Sequence, residues 1–179
     1  MVDSAAVLLR ERGVAGVTVD AVLAHSEAPR GSVYHHFPGG RDEILLAALD
    51  QAGEFISAKL DRAIADGDPR GAVRSFVRFW KRALTDSDYR AGCPAAAVVV
   101  DGRQDVPAVA ETVRGIFDRW HRDLTALLVS DGHNPDRAGR LATLILAAIE
   151  GAIVLCRSAG DVHPLDDVAA ELDLLLDAA

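Results

Sequence analysis

Punctuation limits what this chain can become more than any other feature. Turn-forming clusters stand at Gly13, Ser26-Glu27-Ala28, Pro38-Gly39-Gly40, Asp66-Gly67-Asp68-Pro69, Ser87 to Gly92, Asp105-Val106-Pro107, Asn134-Pro135 and His163-Pro164. Most of the stretches between them place apolar residues every three or four positions, the period of an amphipathic helix. Strands announce themselves by period-2 runs of β-branched residues, and here these are nearly absent. Residues 96–100 are the one ambiguous run. The expectation is an all-α chain of nine helices and no sheet.

At the N-terminal end, residues 3–13 read as a first helix with Val7, Leu8 and Glu11 on successive turns and Gly13 as its stop. Thr18 is a good N-cap for a helix over 19–25, with Val19, Val22 and Leu23 on one face. Pro29 sits where a helix favours its first residue, so 30–37 makes a third short helix, ended by Pro38-Gly39-Gly40. Three short helices, the last two joined by a tight turn, match a helix-turn-helix unit. Such a unit is too small to bury its own apolar faces. A fourth helix over 42–65 therefore completes its core with Ile44, Leu45 and Leu49 and continues into a second domain. The expected division is 1–48 and 49–179.

The second domain reads as further helices. Val73, Phe76, Val77, Trp80 and Leu84 mark one face, Asp105-Val106-Pro107 opens a long helix to 130, and Asn134-Pro135 caps another to 157. The last begins at His163-Pro164 and carries Leu165, Val168, Leu172, Leu175 and Leu176 on one stripe.

Charge argues against an easy reading as a nucleic-acid binder. The net charge is −8, and residues 1–50 hold four arginines (10, 12, 30 and 41) against seven acids, whereas phosphate contacts demand basic surface. Any DNA contact has to rest on the local placement of a few groups. The chain is 50% hydrophobic and 26% charged, as a compact folded protein is. No uninterrupted apolar run reaches the ~18 residues of a membrane span, and residues 1–10 do not read as a signal peptide. With Cys93 and Cys156 far apart, a cytoplasmic protein with free thiols is expected. Cys93 precedes Pro94 at a helix start, a setting that favours a thiolate, although a buried inert thiol is the commoner case. His35 and His36 are adjacent and diverge on a helix, so they lack metal-pair spacing, and neither metal nor cofactor is expected.

On the third helix, Val33 and Phe37 are four apart and face inward, which leaves Arg30, Ser32, Tyr34 and His35 outward. In a helix-turn-helix the second helix of the motif enters the major groove. Arg30 has the reach for guanine or phosphate, and Ser32 is short enough to let the helix approach closely. Thr18-Val19-Asp20-Ala21-Val22-Leu23-Ala24, then Gly31-Ser32-Val33-Tyr34-His35-His36-Phe37, then Arg41-Asp42-Glu43-Ile44-Leu45 together resemble the N-terminal domain of the TetR family of repressors. The resemblance implies phosphate contacts at the positions of Tyr34 and His36, a helix cap at Thr18 that also offers backbone amides to a phosphate, and a basic group at Arg41, where the family usually has lysine. The full expected DNA set is Thr18, Arg30, Gly31, Ser32, Tyr34, His35, His36 and Arg41. The chain departs from the family pattern by the missing basic N-terminal arm and by one extra residue in Pro38-Gly39-Gly40-Arg41. That loop, with Ala91-Gly92-Cys93-Pro94, is similar to the LmrA/YxaF-type branch, whose members often control export genes.

The same resemblance implies a small-molecule pocket in the second domain and a homodimer through the last two helices. Phe76, Phe79, Trp80, Phe117 and Trp120 hold most of the aromatic mass a pocket needs, though Trp80 and Trp120 serve equally well as plain core. Arg78, Asp101 and His121 are polar anchors or, more commonly for such residues, solvated helix surface. For the dimer, Ile145, Ala148, Ala152, Leu155, Leu165, Val168, Leu172 and Leu176 are the expected interface, and core packing within one chain explains the same stripe. The function expected is a repressor released from a near-palindromic operator by a small hydrophobic effector. The alternative is a helical ligand-binding dimer without effective DNA binding. An enzyme is disfavoured, since no nucleophile–base–acid set or Gly-rich phosphate loop is present.

Overall fold

Capping decides where several helices begin. Thr18 accepts a hydrogen bond from the Ala21 amide (3.1 Å), Asp68 from the Gly71 amide (2.8 Å) and Asn134 from the Asp136 amide (3.0 Å). Pro69 and Pro135 follow two of these caps at first-turn positions, where their missing N–H costs nothing. The computed structural model describes residues 1–101 and 106–177. Among these it contains nine α-helices, one 3₁₀ turn (Val14–Gly16) and no strand. The helices are α1 (Val2–Arg12), α2 (Val19–Ser26), α3 (Arg30–His36), α4 (Arg41–Asp66), α5 (Pro69–Asp86), α6 (Pro94–Val100), α7 (Pro107–Ser130), α8 (Pro135–Ala159) and α9 (His163–Asp177). The ambiguous run at 96–100 is helical because Pro94 starts it and Ala95 and Val98 bury one face. Asp105, expected at the head of α7, lies outside the described residues.

The chain forms two compact units, Met1–Phe55 with Gly92–Ile116, and Ile56–Ala91 with Phe117–Ala179. The first unit is larger than the 1–48 segment because α6 and the start of α7 join it. α6 packs on α1, and the Gly92 amide donates to the Arg10 carbonyl at 2.8 Å. Both α4 and α7 run through the two units as continuous helices. The core of the first unit holds Leu8, Leu9, Val14, Val22, Val33, Ile44, Leu45 and Leu49. Within it α4 and α7 approach closely at Gly53, where an added Cβ meets Ile116 Cγ1 at 2.9 Å. Gly53→Val is expected to cost about 1–3 kcal/mol through this overpacking, measured by urea unfolding.

In the second unit α5 packs against α8 and α9. Val73, Val77, Trp80 and Leu84 line its buried face, while its flank sends Arg70, Arg74 and Lys81 to Asp177, Asp173 and Asp166 of α9. α8 is apolar enough on average to cross a bilayer, with a mean hydropathy of 1.8 over its best window, so the sequence reading of no such segment applies only to uninterrupted runs. Leu141, Ile145, Ile149, Ala152, Ile153 and Cys156 are buried against the rest of the unit, the pattern of a core helix. Both thiols are buried, and burial pushes the Cys156 thiol above its usual range.

Desolvation likewise raises the Asp123 carboxyl, only partly offset by Arg119, whose Nε lies 3.7 Å away. A carboxyl raised in the folded state favours protonation there, so its contribution to stability declines as pH rises through its folded value. Asp123→Asn is therefore expected to raise the melting temperature at pH 7, with a gain that shrinks toward pH 4.

Candidate nucleic-acid interface

The turn between α2 and α3 is made by Glu27, whose φ of 54° is left-handed. This closes α2 and lets Pro29 start α3, with the Ser32 amide bonded to the Pro29 carbonyl at 2.9 Å. Val33 is fully buried and Phe37 half-buried, so the inward face is the one the sequence spacing indicated. Arg30, Gly31, Tyr34, His35 and His36 are exposed, and Ser32 is half-buried. Tyr34 stands 69% exposed, unusual for a large ring with no partner to cover it. The His35 and His36 rings meet edge-on at 4.9 Å. No atom lies within 4 Å of where a Gly31 side chain would be, which leaves this turn open to close approach.

Electrostatics at this face are mixed. Arg30 Nη2 is paired with Asp20 Oδ1 at 2.9 Å, and Glu27 is exposed nearby in sequence. A phosphate has to compete with Asp20 for this guanidinium, but both groups are highly exposed and such pairs are weak. Thr18 is exposed and already engaged as the cap of α2.

Arg41 has a different setting. Its Nε donates to the Val17 carbonyl at 2.6 Å and its Nη2 to the Val14 carbonyl at 2.7 Å. Two of its nitrogens therefore tie the 3₁₀ turn ahead of α2 to the start of α4. The same turn is held from the other side by Asp101, at the end of α6, which accepts from the Val14 amide at 2.7 Å. Arg41 and Asp101 thus together fix the turn that leads into α2. From sequence Asp101 reads only as a ligand anchor or surface group, because its partner lies 87 residues away. A hint existed: an acid at a helix C-terminus opposes the helix dipole, and usually has a reason outside the helix.

In the second unit, Phe76 and Trp120 line a small apolar void of about 30 Å³ together with Ile56, Val73, Leu124 and Ile149. Trp80 is plain core, and Phe117 packs edge-on to Trp120 at 5.5 Å without lining the void. Phe79 is half-buried with Lys59 Nζ 5.0 Å from its ring centre. The His121 ring Nε2 lies 3.0 Å from the Gly139 carbonyl and 3.1 Å from Thr143 Oγ1, which makes it a tie between α7 and α8.

Of the expected interface residues, Ile145, Ala152, Leu165, Leu172 and Leu176 are buried within this one chain and offer no surface to a partner. Ala148 and Val168 are half-buried. Leu155 is exposed, and with it Leu144, Val154, Leu174 and Leu175. α8 has two apolar faces, and periodicity alone does not tell which one faces inward. Among the described residues no cluster of histidine, cysteine and acidic groups is placed to hold a metal.

Comparison with known proteins agrees with this geometry. Residues 1–48 match the model for bacterial regulatory proteins of the tetR family, and residues 69–171 match the C-terminal domain of LmrA/YxaF-like transcriptional regulators. An uncharacterised HTH-type transcriptional regulator of Mycobacterium tuberculosis is 43% identical over 98% of this chain and 92% of its own length. The HTH-type transcriptional regulator LmrA of Bacillus subtilis is 25% identical over 98% of this chain and 94% of its own. A TetR transcriptional regulator from Legionella pneumophila shares the fold, with a TM-score of 0.84 at 18% identity, over 97% of this chain and 94% of that one.

Proposed function

The chain belongs to the TetR family of transcriptional regulators, and from that membership we propose that it is a homodimeric, cytoplasmic repressor released from a near-palindromic operator by a small hydrophobic effector. The observation that carries this reading is the outward face of α3, where Tyr34, His35, His36 and Arg30 are exposed around a Val33 anchor. A helix with a bulky exposed aromatic, basic neighbours and an open glycine turn is shaped to lie in a groove and touch phosphates. Arg41 and Asp101 supply the rigidity such a reader needs.

For the dimer, the exposed stripe of α8 supports a second copy as the partner. Leu144, Ala147, Gly151, Val154 and Ser158 recur at spacings of three and four, all exposed, and Gly151 has open space where a side chain would be. This small-and-apolar seam, like the exposed Leu155, Leu174 and Leu175, fits close helix–helix packing better than water.

A second reading, a ligand-binding dimer that no longer reads DNA, is favoured by the Arg30–Asp20 pair and the acidic balance of the first 50 residues. Footprinting on the DNA upstream of the protein's own gene separates the two. The repressor reading expects two protected half-sites about one helical turn, ~34 Å, apart. Absence of protection at low salt supports the second reading.

A further inference from the structure

Two volumes in the second unit share a wall. One is the apolar void beside Trp120, of about 30 Å³, too small for an effector as it stands but larger than the ~10–15 Å³ that admits one water. The other is an open groove of about 320 Å³ between α4 and α5. Leu60, Ala72 and Phe76 border both. Phe76 is half-buried, stacked 6.2 Å from Phe79 and edge-on at 6.2 Å to Trp80, and its ring forms part of the wall between the two volumes.

The two volumes differ sharply in chemistry. Around the void the lining is apolar except for Glu150, and Trp120 adds an indole N–H that is buried without an acceptor. Around the groove stand Arg62 and Arg78, both exposed and both without a hydrogen-bond or ion-pair partner among the described residues, and Lys59. Of the two carboxylates there, Asp68 is occupied by the Gly71 amide and lies 3.9 Å from Arg74. Asp66 is the one left over, so positive charge prevails at the mouth.

We propose that the effector is an amphipathic anion whose carboxylate sits in the groove against Arg62 and Arg78 while its apolar chain displaces Phe76 and enters the void against Trp120. This rests on the reading of the second unit as the effector domain and adds the chemical class. A guanidinium at the rim recognises a carboxylate without burying charge, and the apolar tail supplies the binding energy by leaving water. A neutral apolar molecule gains only the second contribution. An amphipathic cation meets the arginines with the wrong sign.

The test uses the full-length protein and three probes below their micelle concentrations: dodecanoate, dodecanol and dodecyltrimethylammonium. Binding is read from tryptophan fluorescence, to which Trp120 reports, and operator release is read separately by fluorescence anisotropy. The proposal expects dodecanoate to bind about tenfold more tightly than dodecanol, a factor on the scale of one charge-assisted hydrogen bond. The double variant Arg62→Glu, Arg78→Glu, both exposed positions, is expected to abolish that preference while keeping dodecanol binding. Phe76→Ala is expected to tighten both several-fold. Equal binding of dodecanoate and dodecanol, preference for the cation, or a preference that survives the double variant overturns the proposal. Selective dodecanoate binding with no operator release leaves the site standing and overturns the effector reading instead.

Discussion

Arg41→Ala is expected to unfold the DNA-facing unit at much milder denaturant, with a loss of about 2–4 kcal/mol, since it removes two charge-assisted hydrogen bonds, takes the donor from the Val17 carbonyl and leaves the Val14 carbonyl with the Val17 amide alone. Arg41→Lys is expected to recover less than half of that loss. A single ammonium does not reproduce two donors set in a planar fork. Asp101→Ala acts on the same turn from the opposite side through the Val14 amide. The two substitutions are therefore expected to be non-additive in a double-mutant cycle, because each leaves the turn already loosened for the other. Operator affinity should fall with both, as the turn that leads into α2 loses its fixed position. Urea unfolding followed by circular dichroism gives the first quantity, and anisotropy with labelled operator gives the second. An Arg41→Ala protein of unchanged stability contradicts the role assigned to this residue.

Tyr34→Ala is expected to do the opposite, leaving stability within about 0.5 kcal/mol because the ring is an exposed surface group, while weakening operator binding by about tenfold to a hundredfold, the range for one lost contact of 1–3 kcal/mol. Arg30→Ala is expected to weaken binding as well, and to reduce the salt slope by about 1 if its contact is to phosphate. Asp20→Asn removes the acid that now pairs with Arg30, so a modest gain in affinity is the expected sign. The pattern matters more than any single value: Tyr34 changes binding without stability, and Arg41 changes both. A protein whose α3 is merely a solvated helix shows neither binding effect.

How much of this was legible beforehand follows from the range of each interaction. Helix positions came through well, since caps such as Thr18, Asp68-Pro69 and Asn134-Pro135 act within four residues. The faces of α3 were likewise readable from the four-residue spacing of Val33 and Phe37. The Arg41–Val14–Asp101 arrangement was not, because it joins three segments that meet only after folding. For the same reason α6 gave no sign that it belongs with the N-terminal helices. On α8 the failure is of another kind. Ile145 and Ala152 face inward and Leu144, Gly151 and Val154 outward, yet both sets repeat with helical period and both are apolar or small. Only packing chooses between them. The five aromatics divided similarly, with Phe76 and Trp120 at the void and Trp80 in the core.

The most direct test of the account is a gel shift with the DNA upstream of the protein's own gene, run beside a random fragment of equal length at two salt concentrations, with the natural protein and with Tyr34→Ala. The expected result is saturable binding that prefers the upstream fragment, weakens at the higher salt as phosphate contacts demand, and is lost in the variant. Equal binding to both fragments, or a Tyr34→Ala protein that binds as well as the natural one, contradicts the claim that α3 reads DNA.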